Sequence, residues 1–371
     1  MPRPRSAPPQ LLAACARALA ACSPAPAPAS DPGAAAPAGS TAAAPAAAGS
    51  TRTSPDDVRA LLSALAADSM EGRRAATPGS ARAARFIAAQ LQRIGIQPAG
   101  DSAFFQRVPM ALVPRPNGSN GYRLLNTLAD ADTVPAARRA PDVNVVGVLP
   151  GSDPALRDQY VVVGAHFDHI GVGRAVDGDS INNGADDDGS GTVAVLEIAR
   201  ALAKSPPRRS VVFLLTTGEE VGFTGIRWYV RNPRYPLERT VADIQIEMIG
   251  RPDSLAGGPG RAWLTGYDRS TMGEMLRAAG NPIVPDPRPT QNFFERSDNV
   301  VFAWKGVVAH TLSSFGLHSD YHGVDDEVER VDFQHMASVV DAGVQAVRML
   351  ADGPAPQWKP GGQPTPPPNF Q

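Results

Sequence analysis

Five short stretches of this chain carry acids and histidines at spacings that suit chemistry. They are His166-Phe167-Asp168, the run from Gly184 through Asp186-Asp187-Asp188 to Gly191, Thr217-Gly218-Glu219-Glu220, Glu247-Met248-Ile249-Gly250-Arg251, and the run from His318 through Tyr321-His322 to Asp326. In an extended strand, residues i and i+2 point the same way. His166 and Asp168 can therefore share a site, with the carboxylate holding the imidazole. Three adjacent acids in a glycine-rich turn repel one another unless a cation neutralises them. Singly, each stretch has a plainer reading as a hydrogen-bonded pair, a solvated turn or calcium loop, or a charged surface. Together, each near the exit of a predicted strand, they point to one shared site. The only cysteines are Cys15 and Cys22, near the start. The body of the chain thus offers no thiolate, and it contains no G-x-S-x-G nucleophile elbow.

The elements that must position these residues are legible as apolar patterns. Ser54 is a plausible N-cap before Pro55, and Val58, Leu61, Leu62 and Leu65 follow at helical spacing. A second helix runs through Phe86, Ile87, Leu91 and Ile94, with Gly95 to stop it. Short apolar runs at Val145–Leu149, Tyr160–Val163, Val211–Leu215, Ile244–Ile246 and Gly306–Val308 read as strands. The run at 211–215 is continuous and β-branched, as a strand covered on both faces should be. Val195, Ile198, Ala199 and Leu202 form one face of a helix between them. Strands alternating with helices predict an α/β sandwich, and such folds gather function at strand ends.

The rest of the chain frames this body. Its 371 residues suffice for one large domain or two average ones. The formal net charge of −2 and the scattered Lys and Arg exclude a nucleic-acid stripe, and no apolar run is long enough for an ordinary transmembrane helix. Residues 1–22 look like an export signal, with Arg3 and Arg5 before an apolar stretch, and Leu19-Ala20-Ala21-Cys22 resembles a bacterial lipobox. The expectation is an exported protein, either a cell-envelope lipoprotein anchored through Cys22 in the periplasm or a secreted one. Cleavage there removes Arg3, Arg5 and Arg17 and no acid, leaving a more acidic body. Residues 23–53 are Ala/Pro-rich and read as a disordered linker, 54–352 as the functional domain, and 353–371 as a Pro-rich tail.

These motifs, in this order, resemble the co-catalytic zinc aminopeptidases of bacteria, whose relatives include glutamate carboxypeptidase II and glutaminyl cyclase. The likeness spans roughly residues 54–350 and includes Met70-Glu71-Gly72-Arg73 and Asp320-Tyr321-His322. It implies a three-layer α/β/α sandwich around a mixed, mostly parallel sheet. It also implies two Zn2+ ions. Asp187 would bridge them, His166 and Glu247 would complete one site, and Glu220 and His322 the other. Asp168 would orient His166, and Asp186 and Asp188 would serve the loop. Glu219 would be the general base, taking a proton from water and passing it to the leaving amine. Two Zn2+, three carboxylates and a hydroxide sum to zero charge, so the cluster can sit in a partly buried pocket. His318 competes with His322 for the last ligand position. His169, His310 and His335 match no ligand position and are expected to be structural or on the surface.

The activity implied is removal of N-terminal residues from peptide substrates. Phe293, Phe294, Ser297 and Asp298 resemble a segment lining the substrate site. Arg296 could instead meet a substrate carboxylate, which would suit a carboxypeptidase or dipeptidase. A cyclase acting on N-terminal Gln and a non-catalytic binding module complete the alternatives. The resemblance departs at Gly225-Ile226, where relatives have Gly-Ser at a helix start, and only a capping change is expected.

Overall fold

The computed structural model describes residues 52–368 and Phe370. The expected export signal and nearly all of the Ala/Pro linker lie outside these residues. The helices are α1 (Pro55–Leu65), α2 (Pro78–Ile94), α3 (Asp130–Thr133), α4 (Gly191–Ala203), α5 (Thr224–Arg231), α6 (Met272–Ala278), α7 (Asn299–Trp304) and α8 (Phe333–Asp352). The strands are β1 (Gln97–Pro98), β2 (Phe105–Val108), β3 (Met110–Pro114), β4 (Asn120–Leu124), β5 (Asp142–Leu149), β6 (Tyr160–His166), β7 (Gly171–Val176), β8 (Asp179–Asn182), β9 (Ser210–Thr216), β10 (Thr240–Ile246), β11 (Ala262–Leu264), β12 (Ile283–Pro285) and β13 (Ala309–Ser313).

One sheet runs in the order β1-β5-β9-β6-β10-β13-β11-β12, with β2 also pairing with β5. Its centre, β9-β6-β10-β13, is parallel throughout. β5 and β11 join it antiparallel, so the sheet is mixed. Strand alternation splits the core between its two faces. Val161, Val163, Val211, Phe213 and Leu215 pack with α1, α2, α4 and α8, whereas Val162, Val212 and Leu214 pack with α5 and α7. The result is the expected three-layer α/β/α sandwich. Four parallel strands emptying at one edge deliver His166, Thr216, Ile246 and Ser313 side by side.

The caps explain where the helices start. Ser54 accepts the Asp57 N–H ahead of Pro55, and Thr77 accepts the Ser80 N–H ahead of Pro78. The second helix thus begins well before its apolar face becomes visible, and it ends at left-handed Gly95 as expected. The last strand starts at Ala309 rather than Gly306, because Gly306, at φ 94°, turns the chain out of α7. Ile226 is not a capping position. It lies inside α5, fully buried among Tyr229, Val212 and Leu214, so the departure from relatives there is one of packing.

Two antiparallel hairpins, β3–β4 and β7–β8, stand outside the main sheet. The Pro-rich end, read as a tail, lies against the domain. Trp358 donates its indole N–H to Gly306 O at 3.0 Å, and Phe370 packs on Trp304 with ring centroids 4.5 Å apart. Among the described residues, no helix is long and apolar enough to cross a membrane.

Candidate metal centre

The loop from Gly184 to α4 is the keystone. Its three acids point into different partners, which relieves the repulsion expected of adjacent carboxylates. Asp186 accepts the Gly250 N–H at 2.6 Å and faces His318 Nε2 at 3.0 Å. Asp188 accepts the Gly191 and Met248 N–H groups at 3.0 and 3.1 Å. Both therefore fasten the loop to the segment after β10, which carries Glu247. Asp326 holds the loop from the other side, its carboxylate accepting the N–H groups of Asp186 and Asp187. Only the Asp187 side chain is left to face the cavity. A Cβ on Gly191 would lie 2.1 Å from Ile246 O, so only glycine lets α4 start this close to β10.

Two donor groups meet at Asp187. In the first, His166 Nε2 lies 3.4 Å from Asp187 Oδ1, with Glu247 completing the set. In the second, His322 Nε2 lies 3.2 Å from Asp187 Oδ2 and 3.0 Å from Glu220 Oε1. His318 belongs to Asp186 instead, so the structure places His322 at the centre and His318 on the loop beneath it.

The second group also contains a residue that sequence reasoning set aside. His169 is fully buried, and its Nδ1 lies 3.1 Å from Glu220 Oε1 and 3.7 Å from Asp187 Oδ2. It is neither a surface residue nor remote from the centre. The signal in the sequence was its place three residues after His166, on the same strand exit.

Asp168 meets the imidazole through its backbone oxygen rather than, as expected, through its carboxylate. His166 Nδ1 is 3.0 Å from the backbone oxygen of Asp168 and 3.7 Å from its carboxylate, whose Oδ1 takes the Glu219 N–H at 3.1 Å. One buried acid thereby ties the β6 exit to the β9 exit. Glu219 and Glu220 are adjacent, but only Glu220 joins a donor group. Burial pushes the Glu219 carboxyl well above the usual range, and the nearby negative charges of Glu247, Glu220 and Asp298 add to this, against the pull of His166. Burial likewise lifts Glu247 to about 7.

The donor set fits zinc. Imidazole and carboxylate are its usual ligands in the absence of thiolate, and a tetrahedron with bonds of about 2.0–2.1 Å has edges of about 3.3 Å. The contacts around Asp187 cluster at that length. His166 Nε2 is buried with no hydrogen-bond partner yet faces Asp187, as a ligating nitrogen would. Although burial opposes it, hydrogen bonds to Asp187 and Glu220 lift His322 to about 10.

Beside Glu247 is a small pocket lined by Met248, Trp263, Phe293, Phe315 and Tyr321, with Arg296 at its wall. The Arg296 guanidinium lies over the Phe293 ring, 5.0 Å from its centroid. Phe294 and Asp298 are buried behind this wall. Phe294 meets the rings of His310 and Trp358 edge-on, and Asp298 bonds Thr216.

Residues 144–347 match the family model described as Peptidase family M28. A probable glutamate carboxypeptidase, LAMP1, of Arabidopsis thaliana is 28% identical over 192 residues, which is 49% of this chain and 25% of that protein. A probable leucine aminopeptidase 2 of Aspergillus fumigatus is 29% identical over 174 residues, 46% of this chain and 32% of that protein. The chain thus spans between a quarter and a third of these relatives. Among solved structures, the zinc aminopeptidase BSAP of Bacillus subtilis superposes with a TM-score of 0.60 at 14% identity, covering 81% of this chain and 96% of that one.

Proposed function

The chain belongs to peptidase family M28, and from that premise we propose that it is an exported di-zinc exopeptidase that removes N-terminal residues from peptides. The observation that carries this reading is the sharing of Asp187 between two donor groups while Glu219 belongs to neither. His166, Asp187 and Glu247 would hold one zinc ion, and Asp187, Glu220 and His322 the other. Bound there, the ions supply Lewis acidity and lower the pKa of water.

The protein's own groups then divide the labour. Glu219 sits in a buried site that raises its pKa well above the usual carboxylate range, which suits a group that takes a proton from water and returns it to the leaving amine. Asp168 fixes both the His166 ring and the Glu219 backbone. The pocket beside Glu247 would receive a substrate side chain. The family and the leucine aminopeptidase relative support the exopeptidase reading, and the Leu19-Ala20-Ala21-Cys22 stretch supports export with a lipid anchor at Cys22 in the cell envelope.

Glu219→Gln tests the proposal. It should retain zinc and lose hydrolysis of aminoacyl anilides by at least about a hundredfold, the range expected of a lost general base. Retained turnover would remove Glu219 from the mechanism. One observation favours a second reading: Arg296 lines the pocket with its guanidinium stacked on Phe293, where it could meet a substrate carboxylate. Release of C-terminal glutamate, with no cleavage of aminoacyl anilides, would make the protein a carboxypeptidase instead.

A further inference from the structure

The two donor groups are not alike. In the second, four atoms from four side chains close a ring. His169 Nδ1 is 3.1 Å from Glu220 Oε1, which is 3.0 Å from His322 Nε2. His322 Nε2 is 3.2 Å from Asp187 Oδ2, which is 3.7 Å from His169 Nδ1. These four sides scatter about the edge length of roughly 3.3 Å that a tetrahedral zinc site requires. The first group has only three members, His166, Asp187 and Glu247.

We infer that His169 is a fourth protein ligand beside Asp187, Glu220 and His322, so that this site holds two imidazoles whereas the site of His166, Asp187 and Glu247 holds one. The inference rests on the zinc reading above and refines it.

The backbone is shaped for this ring. Gly184 stands at φ 59°, and a Cβ there would lie 2.5 Å from His169 Cγ and 2.3 Å from Asp187 O. The imidazole therefore occupies space that only glycine leaves, directly under the bridging acid. It is fully buried and meets the His322 ring edge-on, with centroids 5.6 Å apart.

The competing role for His169 is to hydrogen-bond Glu220 and orient it without touching metal. The full chain, stripped by chelator and reloaded with one equivalent of zinc, separates the two by X-ray absorption. Two imidazoles on the first ion bound are expected, and a single imidazole would overturn the inference. Variants give an independent readout by zinc titration calorimetry and by the visible spectrum of the cobalt-loaded protein. His169→Ala and His169→Asn should each weaken one binding step by about a hundredfold or more, a larger loss than removing an outer partner of a ligand gives, and dim the tetrahedral cobalt band. Asn can still hydrogen-bond Glu220. Wild-type affinity and spectrum in His169→Asn would make His169 a positioning residue and sink the proposal. A wild-type chain that binds no zinc would instead defeat the underlying reading.

Discussion

The Arg73 guanidinium donates from Nε to the backbone oxygen of Phe167 at 2.7 Å, from beneath the strand exit that carries His166 and Asp168. The same fork reaches Asn183 O at 2.5 Å and Gly184 O at 2.7 Å, at the root of the loop that carries Asp187. Arg73 is fully buried, and the acids Asp326, Asp187, Asp188 and Asp168 act on its charge. One side chain thus spaces the loops that carry His166 and Asp187 and answers their negative charge.

Arg73→Lys should therefore be costly. An ammonium cannot reproduce a planar fork that bonds four carbonyls, those of Phe167, Asn183, Gly184 and Leu65. Breaking a buried charge network in this way costs about 3 kcal/mol or more. Chemical denaturation should show that loss, and zinc should dissociate more readily from the variant. A change within about 0.5 kcal/mol, the range of an ordinary surface substitution, would show that the fork positions nothing.

His318 and His322 should separate cleanly. His318 bonds Asp186 in the supporting loop, whereas His322 closes the second donor group. His322→Ala should release one zinc ion per chain after gel filtration. His318→Ala should keep both ions and cost about 1 kcal/mol, the worth of one hydrogen bond. Loss of an ion from the His318 variant, with none lost from the His322 variant, would reverse the assignment.

Much of this centre was legible in the sequence because strand exits are marked twice. A continuous apolar run such as Val211–Leu215 reads as a covered strand, and the polar residues that follow it then stand at its end. The acid loop was legible for a similar reason, since three carboxylates in a turn need partners. What was hidden depends on long-range contact. Beyond its place three residues after His166, nothing local marks His169 as buried, because its burial comes from Gly184 and Glu220, fifteen and fifty-one positions away. The β7–β8 hairpin was invisible because nearly all of β7 faces solvent and carries no apolar alternation. The Pro-rich end gave no sign of packing, since Trp358 finds its place against the distant Gly306, Phe294 and His310, and Phe370 against Trp304.

Removing the metal should give stability an unusual pH slope. Burial raises the folded pKa of Glu247 to about 7, above its unfolded value. A carboxyl raised in the fold favours the folded state at low pH, and that advantage is lost as pH rises from the unfolded value through about 7. The chelated protein should therefore melt at a lower temperature at pH 8 than at pH 5.5. With zinc neutralising the site, the melting temperature should not fall in that direction. An equal slope with and without chelator would show that the carboxylates are not the cause.

A buried histidine gives the opposite slope, away from the metal. His310 is fully buried on β13, with Nδ1 donating to Thr265 O at 2.7 Å and Nε2 taking the Ser270 hydroxyl at 2.7 Å. This tautomer has no place for a second proton. Burial therefore depresses its pKa to about 4, against a weaker upward pull from the Thr265 hydrogen bond. The unfolded chain binds a proton near pH 6.5 that the folded protein refuses. Stability from this group is complete above that pH and is lost as pH falls toward 4, with about 3 kcal/mol at stake. His310→Asn cannot titrate, and it should flatten that part of the acid slope while lowering stability at pH 7 through poorer packing. The measurement is the difference in unfolding free energy between wild type and variant at each pH from 7 to 4. The difference should shrink as pH falls, and a constant difference across that range would mean that His310 carries no such penalty.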